Sequence, residues 1–275
     1  MKTLPAPAKI NLSLVVGPLG EGGKHEVFTI LQPLALHDRV GLAPGPGLEV
    51  TGFAGDTIVT AALEALADAA GVEPDWHVEI TKAIPVAAGL GGGSSDAAAA
   101  LRLANETLPA PLGAERLAGL AATIGADVPF FLERGPRLGT GDGAVLTGLD
   151  LPQDFSVVLL LPSGAVKTST ADVYGLFDAR RGADGFEARR DALLEALAGV
   201  RSADGLAALP PNDLASSPAS QRLRDLGAFR ADVSGAGPCV YGLFLELPAA
   251  EAAAASLRQC GTTWLTAPLR PAQAP

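Results

Sequence analysis

The 275-residue sequence contains only two cysteines, Cys239 and Cys260, and only three histidines. Neither cysteine belongs to a CxxC pair, so a disulfide scaffold and a zinc site of ordinary spacing are both excluded. We expect both thiols to be buried in a protein that works in a reducing compartment. Aromatic residues make up only 5% of the chain, which predicts a core built mainly from alanine, leucine and valine.

Basic residues are also few, since 20 Lys and Arg stand against 30 Asp and Glu and give a net charge of −10. A protein that follows nucleic-acid phosphates usually carries the opposite sign, so a nucleic-acid partner is disfavoured. The chain has no apolar run long enough for a membrane span, and prolines and Lys9 interrupt the segment where a signal peptide would need its apolar core. These absences predict a soluble, cytoplasmic protein without a membrane partner. The sequence leaves a monomer and a homodimer open.

Apolar residues, in contrast, make up 48% of the chain, which excludes an intrinsically disordered protein. At about 150 residues per domain the length favours two domains. We place the boundary in a plausible linker, Leu149–Asp154, so that residues 1–150 form the N-terminal domain and residues 151–275 the C-terminal domain. The proline-rich end, Ala267–Pro275, is expected to be frayed.

Hydrophobic periodicity predicts helices and strands along both domains. The predicted strands are Ile10–Val16, Val27–Leu36, His77–Thr81, Phe155–Leu161, Ala231–Val233 and Cys239–Leu245. The predicted helices are Thr57–Ala70, Ala97–Leu108, Ala114–Ile124, Thr170–Phe177, Glu187–Leu197 and Ala249–Arg258. A loop is predicted at Gly41–Gly47.

The strongest chemical signal is the glycine-rich segment Gly89–Ser95 (GLGGGSS), between a predicted strand and a predicted helix. Glycines let the backbone approach a ligand, and the free N–H groups and dipole of a helix start favour an anion. We expect Ser94 or Ser95 to cap the helix and a triphosphate to occupy the loop. No GxxxxGK[ST] occurs, and Ser94 stands where GxGxxG would need its last glycine, so this is neither of the two commonest phosphate loops. A flexible Gly/Ser linker is the alternative.

Asp96 follows this loop in the first turn of the predicted helix. Its charge suits the helix dipole, but it would repel a bound triphosphate unless a cation lies between them.

Three blocks of sequence resemble the motifs of the GHMP kinases, the family of galactokinase and of the homoserine, mevalonate and phosphomevalonate kinases. Pro85–Ala98 (PVAAGLGGGSSDAA) resembles their phosphate-binding motif, while Pro7–Leu12 (PAKINL) and Ser234–Val240 (SGAGPCV) resemble two others. Their order and spacing extend through almost the whole chain. The resemblance implies an α+β, two-domain fold with a ferredoxin-like C-terminal domain and a site in the cleft between the domains.

Three further segments resemble the member of this family that acts in the non-mevalonate isoprenoid pathway: Gly23–Glu26 (GKHE), Gly125–Phe131 (GADVPFF) and Asn212–Leu214 (NDL). This resemblance implies an ATP-dependent kinase that phosphorylates the 2-hydroxyl of a cytidylated methylerythritol, a small-molecule substrate. Mg²⁺ is expected with ATP because a cation bridges phosphate oxygens. Its protein ligand stays open among Asp96, Ser95 and water alone.

The same resemblance implies catalytic roles for Lys9 and Asp127. Asp127 would be the general base that accepts the hydroxyl proton. Lys9 would stabilise charge on the transferring phosphoryl group and hold Asp127 ionised. The two residues lie 127 − 9 = 118 positions apart, so only the fold can bring them together. From the residues alone, a turn aspartate and a surface lysine are the alternatives.

Ligand binding is also implied by the resemblance. Asn11, His25 and Tyr174 would bind the substrate, with Tyr174 stacked on the cytosine ring. From the residues alone, Tyr174 could equally be a helix-face aromatic and His25 a loop histidine. The residues expected to bind ATP are Pro85, Val86, Ala87, Ala88, Gly89, Leu90, Gly91, Gly92, Gly93, Ser94 and Ser95.

The sequence departs from the family pattern at Lys24, which replaces a tyrosine near the base and would instead meet the diphosphate, and at Asp56, in the nucleotide-side helix. Lys82 precedes the loop, and we assign it no role beyond a solvated charge. The alternative functions are another kinase of the family (homoserine or mevalonate type) and a nucleotide-binding module that lost the chemistry. A dinucleotide oxidoreductase is weakened by the failed glycine pattern.

Overall fold

The computed structural model describes residues 1–165 and 169–270 as a mixed α and β structure. The strands are β1 (Lys2–Leu19), β2 (His25–Pro44), β3 (Glu49–Thr51), β4 (Trp76–Thr81), β5 (Arg137–Thr140), β6 (Val145–Gly148), β7 (Ser156–Pro162), β8 (Arg230–Val233), β9 (Val240–Phe244) and β10 (Gly261–Thr266). The helices are α1 (Ile58–Ala70), α2 (Gly92–Asn105), α3 (Ala114–Ile124), α4 (Val128–Leu132), α5 (Thr170–Ala179), α6 (Phe186–Gly199), α7 (Pro218–Asp225) and α8 (Leu247–Leu257), with a 3-10 turn at Ala203–Ala208.

The first sheet has six strands in the order β3-β4-β2-β5-β6, with β1 paired to β2. The antiparallel β1–β2 hairpin is long, and its register shifts between Pro7 and Lys9 and again between Asn11 and Ser13. Such bulges redirect side chains and are frequent next to active sites. Helix α2 packs on β1 and β2, with α1 and α4 beside it.

The second sheet has four strands in the order β10-β7-β9-β8. In chain order this is 4-1-3-2, the antiparallel arrangement of a ferredoxin-like unit, as expected. Its apolar residues and those of the first sheet share a buried cluster that includes Ile10, Leu12, Leu159 and Tyr241. The two sheets are therefore packed into one body, with a cleft between them. The predicted boundary at residues 150 and 151 falls between β6 and β7 and stays a prediction.

The structure differs from the sequence-based expectations in several places. Gly41–Gly47 is not a loop throughout, because β2 continues to Pro44 through its pairing with β4. Near the C-terminal end, Leu269 N donates a hydrogen bond to Pro33 O at 2.9 Å, so this part of the predicted frayed segment is held against β2. The rest of that segment, residues 271–275, lies outside the described residues. Cys239 is buried as expected, whereas Cys260 is only partly buried.

The sequence patterns do not predict several elements of the structure: β3, β5, β6, β10, α4 and α7. Each is short, and tertiary packing rather than local pattern specifies it. In the described part of the chain, no helix is both long and apolar enough to span a bilayer.

Candidate active site

A cleft of about 710 Å³ lies where the two sheets meet, a size suited to a small-molecule ligand. Its walls come from β1 and β2, the glycine-rich loop, the segment before α4, helix α5 and the turn at residues 235–237. Many of the predicted site residues line it, including Lys9, Asn11, His25, Ala87, Gly89, Gly91, Ser94, Asp127 and Tyr174. The fold thus brings together residues that are distant in the sequence.

The glycine-rich loop runs from β4 into α2 and needs glycine at two positions. Gly89 has φ +81° and Gly91 has φ +71°, a region that side chains with a Cβ rarely adopt. Gly91 is the N-cap of α2, so the helix begins at Gly92 and neither Ser94 nor Ser95 caps it, contrary to expectation. The first-turn N–H groups of Gly92, Gly93 and Ser94 consequently have no intrahelical partner and are available to an anion.

Members of the predicted ATP-binding set differ in exposure. Ala87, Gly89, Gly91 and Ser94 line the cleft. In contrast, Ala88, Leu90 and Ser95 are buried beneath the loop, and Val86 is exposed. The buried members shape the backbone: Leu90 O accepts a hydrogen bond from Lys9 N at 3.0 Å, and Ala88 O accepts one from Cys239 N at 3.1 Å.

The turn between β8 and β9 packs directly against the loop. Ser234 Oγ donates to Gly89 O at 2.8 Å. Asn212 holds this turn from behind, because its Nδ2 donates to Val233 O at 3.0 Å and to Gly235 O at 2.6 Å. A Cβ on Gly235 would lie 3.6 Å from Lys9 Nζ, so the turn also reaches the catalytic candidates. The C-terminal sheet therefore supports the phosphate loop.

Lys9 and Asp127 form an ion pair across the cleft, with Lys9 Nζ 3.3 Å from Asp127 Oδ2. The lysine side chain is 5% exposed and that of the aspartate is 39% exposed, so the carboxylate is accessible while the ammonium is largely desolvated. A Cβ on Gly91 would lie 3.1 Å from Lys9 Cγ, which places the lysine stem directly beside the loop. The pair is therefore located where a phosphoryl group and a hydroxyl could meet.

A buried chain of hydrogen bonds fixes the lysine. Lys9 Nζ donates to Asn11 Oδ1 at 2.8 Å, and Asn11 Nδ2 donates to Thr29 Oγ1 at 2.8 Å. Thr29 in turn donates to Ser13 O at 2.9 Å. Asn11 orients Lys9 through this chain and also lines the cleft, and its predicted contact with the substrate stays a prediction. Thr29 carries no sequence signal, because its partner lies 18 residues away on the neighbouring strand.

The predicted substrate residues His25 and Tyr174 lie together, with ring centroids 4.9 Å apart and planes at 25°. The buried His25 ring donates from Nδ1 to Gly17 O at 2.8 Å, while its Nε2 is 3.4 Å from Asp178 Oδ1. Burial and the charge of Asp127 raise the pKa of Tyr174 to about 12, so the phenol stays protonated. Tyr174 lines the cleft and offers an aromatic surface at this end.

Lys24 and Asp56, the two residues that depart from the family pattern, each contact groups within the protein. Lys24 lines the cleft and forms an exposed ion pair with Asp142 at 2.7 Å. The hydrogen bond from Lys24 lowers the pKa of Asp142. Asp56 accepts hydrogen bonds from Val59 N and Thr60 N at 3.1 and 3.2 Å, so it caps the start of α1.

Lys82 is not a solvated charge. Its side chain is 16% exposed and its Nζ bonds to the carboxylates of Asp38 and Asp96, the latter at 2.6 Å. Burial lowers the pKa of Lys82, but the two carboxylates more than offset this and the net shift is upward. Burial likewise raises the pKa of Asp96, to about 7. Lys82 therefore pairs with Asp96 outside the cleft lining, and Asp38 is a third member of this cluster that the sequence does not suggest.

Comparisons with known proteins identify the family of this chain. The family model described as GHMP kinases N terminal domain matches residues 57–135, and the GHMP kinases C terminal model matches residues 216–263. A 4-diphosphocytidyl-2-C-methyl-D-erythritol kinase of Rhodococcus jostii is 38% identical over 93% of this chain and 88% of its own length. The kinase of the same name from Nitratidesulfovibrio vulgaris is 36% identical over 94% of this chain and 96% of its own.

Comparison with solved structures points to the same family. A crystal structure of 4-(cytidine 5'-diphospho)-2C-methyl-D-erythritol kinase superposes with a TM-score of 0.78 and 33% identity, covering 97% of this chain and 98% of that one. A mevalonate kinase superposes with a TM-score of 0.77 at 13% identity, covering 98% of this chain and 100% of that one, which shows a shared fold alone. The chain therefore belongs to the 4-diphosphocytidyl-2-C-methyl-D-erythritol kinase family of the GHMP kinases.

Proposed function

We propose that this protein transfers the γ-phosphoryl group of ATP to the 2-hydroxyl of 4-diphosphocytidyl-2-C-methyl-D-erythritol. The observation that carries the proposal is the Lys9–Asp127 pair, 3.3 Å apart in a cleft that also contains a helix N-terminus prepared for phosphates. Family membership supports the substrate, and the low-identity likeness to mevalonate kinase extends only to the fold. Retention of both charged residues argues against a module that only binds nucleotide.

The transfer needs a base and a compensating cation. Asp127 accepts the proton of the substrate hydroxyl while the hydroxyl oxygen forms a bond to the γ-phosphorus of ATP. The bond from that phosphorus to the oxygen bridging the β- and γ-phosphates breaks, and ADP leaves. Lys9, desolvated and oriented by Asn11, stabilises the negative charge on the transferring group. Because its ammonium is already in place, little reorganisation accompanies the transition state.

The loop holds the other phosphates. First-turn N–H groups of α2 and the helix dipole face the cleft at Gly91 and Ser94, where they can bind phosphate oxygens. The Ser234–Gly237 turn keeps the loop in this conformation through Gly89. ATP is therefore expected along the loop, with its terminal phosphate toward Lys9.

Mg²⁺ is proposed to enter with the nucleotide. Within residues 1–165 and 169–270, no group of three or more His, Cys, Asp or Glu side chains could hold a metal ion. Asp96 pairs with Lys82, and neither Asp96 nor Ser95 lines the cleft, whereas Ser94 does. These donors fit a Mg²⁺ held mainly by phosphate oxygens and water, with Ser94 as its protein oxygen. The ion would neutralise phosphate charge.

The cytidylated end is proposed to bind near His25 and Tyr174. Tyr174 provides a surface on which the cytosine ring can stack, and His25 lies against it. Lys24, on the rim, can exchange its exposed partner Asp142 for the diphosphate of the substrate, since exposed ion pairs are weak.

The decisive test is a phosphotransfer assay with the purified protein, ATP, Mg²⁺ and the cytidylated methylerythritol, with homoserine and mevalonate as competing alcohols. We expect turnover with the cytidylated alcohol and none with the others. Lys9→Ala and Asp127→Asn should each abolish turnover while leaving the circular dichroism spectrum and melting temperature close to those of the wild type. Near-normal turnover in either variant would remove that residue from the mechanism, and phosphorylation of mevalonate or homoserine instead would replace the proposed substrate.

A further inference from the structure

A cluster of three charged side chains lies beneath the phosphate loop and takes no part in the chemistry proposed above. Asp38, at 0% exposed, and Asp96, at 1% exposed, face each other across the ammonium of Lys82. Two carboxylates and one ammonium are thus removed from water, an arrangement that costs stability unless each group is well bonded. Its persistence in the interior calls for a reason beyond packing.

The contacts of Asp38 join β2 to the segment that follows β4. Its Oδ1 accepts hydrogen bonds from Ala83 N at 2.5 Å and Ile84 N at 2.8 Å, the two residues that lead into the loop. Its Oδ2 accepts a hydrogen bond from Lys82 Nζ. One carboxylate on β2 therefore fixes the backbone between β4 and the loop.

Lys82 extends this connection to the helix. Its Nζ donates to Asp96 Oδ2 at 2.6 Å, and Asp96 lies five residues into α2. A Cβ on Gly92, the first residue of α2, would lie 3.3 Å from Lys82 Nζ and 3.4 Å from Asp38 Oδ2. The cluster therefore lies directly under the helix start and ties both ends of the glycine-rich loop to β2.

We propose that Asp38, Lys82 and Asp96 are positioning residues that hold the helix start in the orientation needed to bind the ATP phosphates. None of them has to touch the nucleotide's phosphates for this role, since they act through the loop backbone. A small change in the angle of α2 would move several N–H donors at once, and shifts of about 1 Å can cost about 100-fold in rate. The proposal rests on the proposed function only in taking ATP as the ligand.

Two substitutions at one position separate this role from a charge effect. Asp96→Asn removes the negative charge but keeps an oxygen that can accept from Lys82, whereas Asp96→Ala removes both. If the link positions the loop, Asp96→Ala should weaken binding of a non-hydrolysable ATP analogue by about tenfold or more and raise the KM for ATP similarly. Asp96→Asn should stay within about threefold of the wild type. The KM for the cytidylated substrate should change little in either variant.

Nucleotide binding is measured by calorimetry without the acceptor, so the outcome does not depend on the identity of the acceptor. If the protein phosphorylates no alcohol but Asp96→Ala still loses nucleotide affinity, the proposed function fails and the positioning role stands. Equal nucleotide affinity of Asp96→Ala and Asp96→Asn would overturn the positioning role. So would an equal rise in the KM values of both substrates in Asp96→Ala.

A variant without charges in the cluster keeps the proposal testable if Asp96→Ala does not fold. Asp38→Asn with Lys82→Met and Asp96→Leu leaves no unpaired buried charge, keeps an oxygen that can accept from Ala83 N and Ile84 N, and replaces the link to α2 by apolar contact. This triple variant should melt closer to the wild-type temperature than Lys82→Met alone and should bind the ATP analogue at least about tenfold more weakly than the wild type. Wild-type affinity in the folded triple variant would contradict the proposal.

Discussion

The glycine at the start of α2 offers a sharp test of the site, because the consequence of adding a single carbon there can be worked out. Gly91 has φ +71°, and an added Cβ would lie 2.8 Å from Phe131 Cζ and 3.1 Å from Lys9 Cγ. Ordinary contact begins at 3.4 Å, so the ring and the loop must separate by at least 3.4 − 2.8 = 0.6 Å. Phe131 is buried and cannot move freely, so the strain falls on the loop and on Lys9.

Gly91→Ala therefore carries two costs. The left-handed conformation costs an L-residue roughly 1–2 kcal/mol, and overpacking adds roughly 1–3 kcal/mol. Gly71→Ala is the matched control, because Gly71 has φ +68° at the C-cap of α1 and a Cβ there would meet no atom within 4 Å. The control shares the conformational cost but not the clash, and it lies outside the cleft lining.

The assay is steady-state phosphotransfer with ATP varied, together with thermal unfolding of both variants. We expect each variant to melt about 2–4 °C lower for each kcal/mol lost, with Gly91→Ala the less stable. At a temperature where both are folded, Gly91→Ala should lose about 10- to 100-fold in kcat/KM for ATP, while Gly71→Ala stays within about twofold of the wild type. If Gly91→Ala matched its control in kcat/KM, the loop geometry would not be what activates the site.

Three further outcomes are expected. Tyr174→Ala should raise the KM for the cytidylated substrate about 10- to 100-fold and leave the KM for ATP nearly unchanged, because base stacking contributes about 1–3 kcal/mol. The control Tyr174→Phe keeps the ring and should behave like the wild type. Equal effects of Tyr174→Ala on both KM values would mean that Tyr174 only packs against its neighbours. The buried Arg230 donates to the carbonyls of Leu206, Leu209 and Pro210. Arg230→Met should therefore lower the free energy of unfolding, measured in denaturant titrations, by about 3–5 kcal/mol. The control Arg222→Met replaces an exposed arginine and should lower it by less than about 0.5 kcal/mol. Similar losses in the two variants would contradict the structural role of Arg230. Chelation of Mg²⁺ by EDTA should stop turnover, and added Mg²⁺ should restore it. The melting temperature of the nucleotide-free protein should not change. Full turnover in EDTA would remove the ion from the mechanism.

Much of the fold was predictable because its longer elements carry strong periodic signals. Helix Ala114–Ile124 has the predicted bounds, and His77–Thr81 differs from β4 by one residue. Short strands such as β5 were not predictable, because their place in the sheet depends on pairing with β2 rather than on their own four residues. The predicted helix start is wrong because serine is a common N-cap residue, whereas the N-cap of α2 is Gly91 in the left-handed conformation.

The residues of the site also fall into those that the sequence predicts and those that it does not. The motif residues Lys9, Asp127 and Tyr174 were named from the sequence, and all three line one cleft. Thr29 and Asp38 were not, because their importance comes from partners on other strands and helices. The role of Lys82 is not predictable from the sequence, because its two buried carboxylate partners, Asp38 and Asp96, come from other elements of the fold.

The local chemistry of this protein can be read from short segments: a glycine-rich phosphate loop before a helix, and motifs that place a lysine, an aspartate and an aromatic residue within a kinase family. Those features depend on neighbouring residues and on backbone conformations that a short segment specifies on its own. Three contacts depend on the whole fold instead: Lys9 lies 3.3 Å from Asp127, the turn at Ser234 holds Gly89, and Lys82 joins Asp38 to Asp96. These contacts arise from strand register and from the packing of the two sheets, and no single segment encodes them.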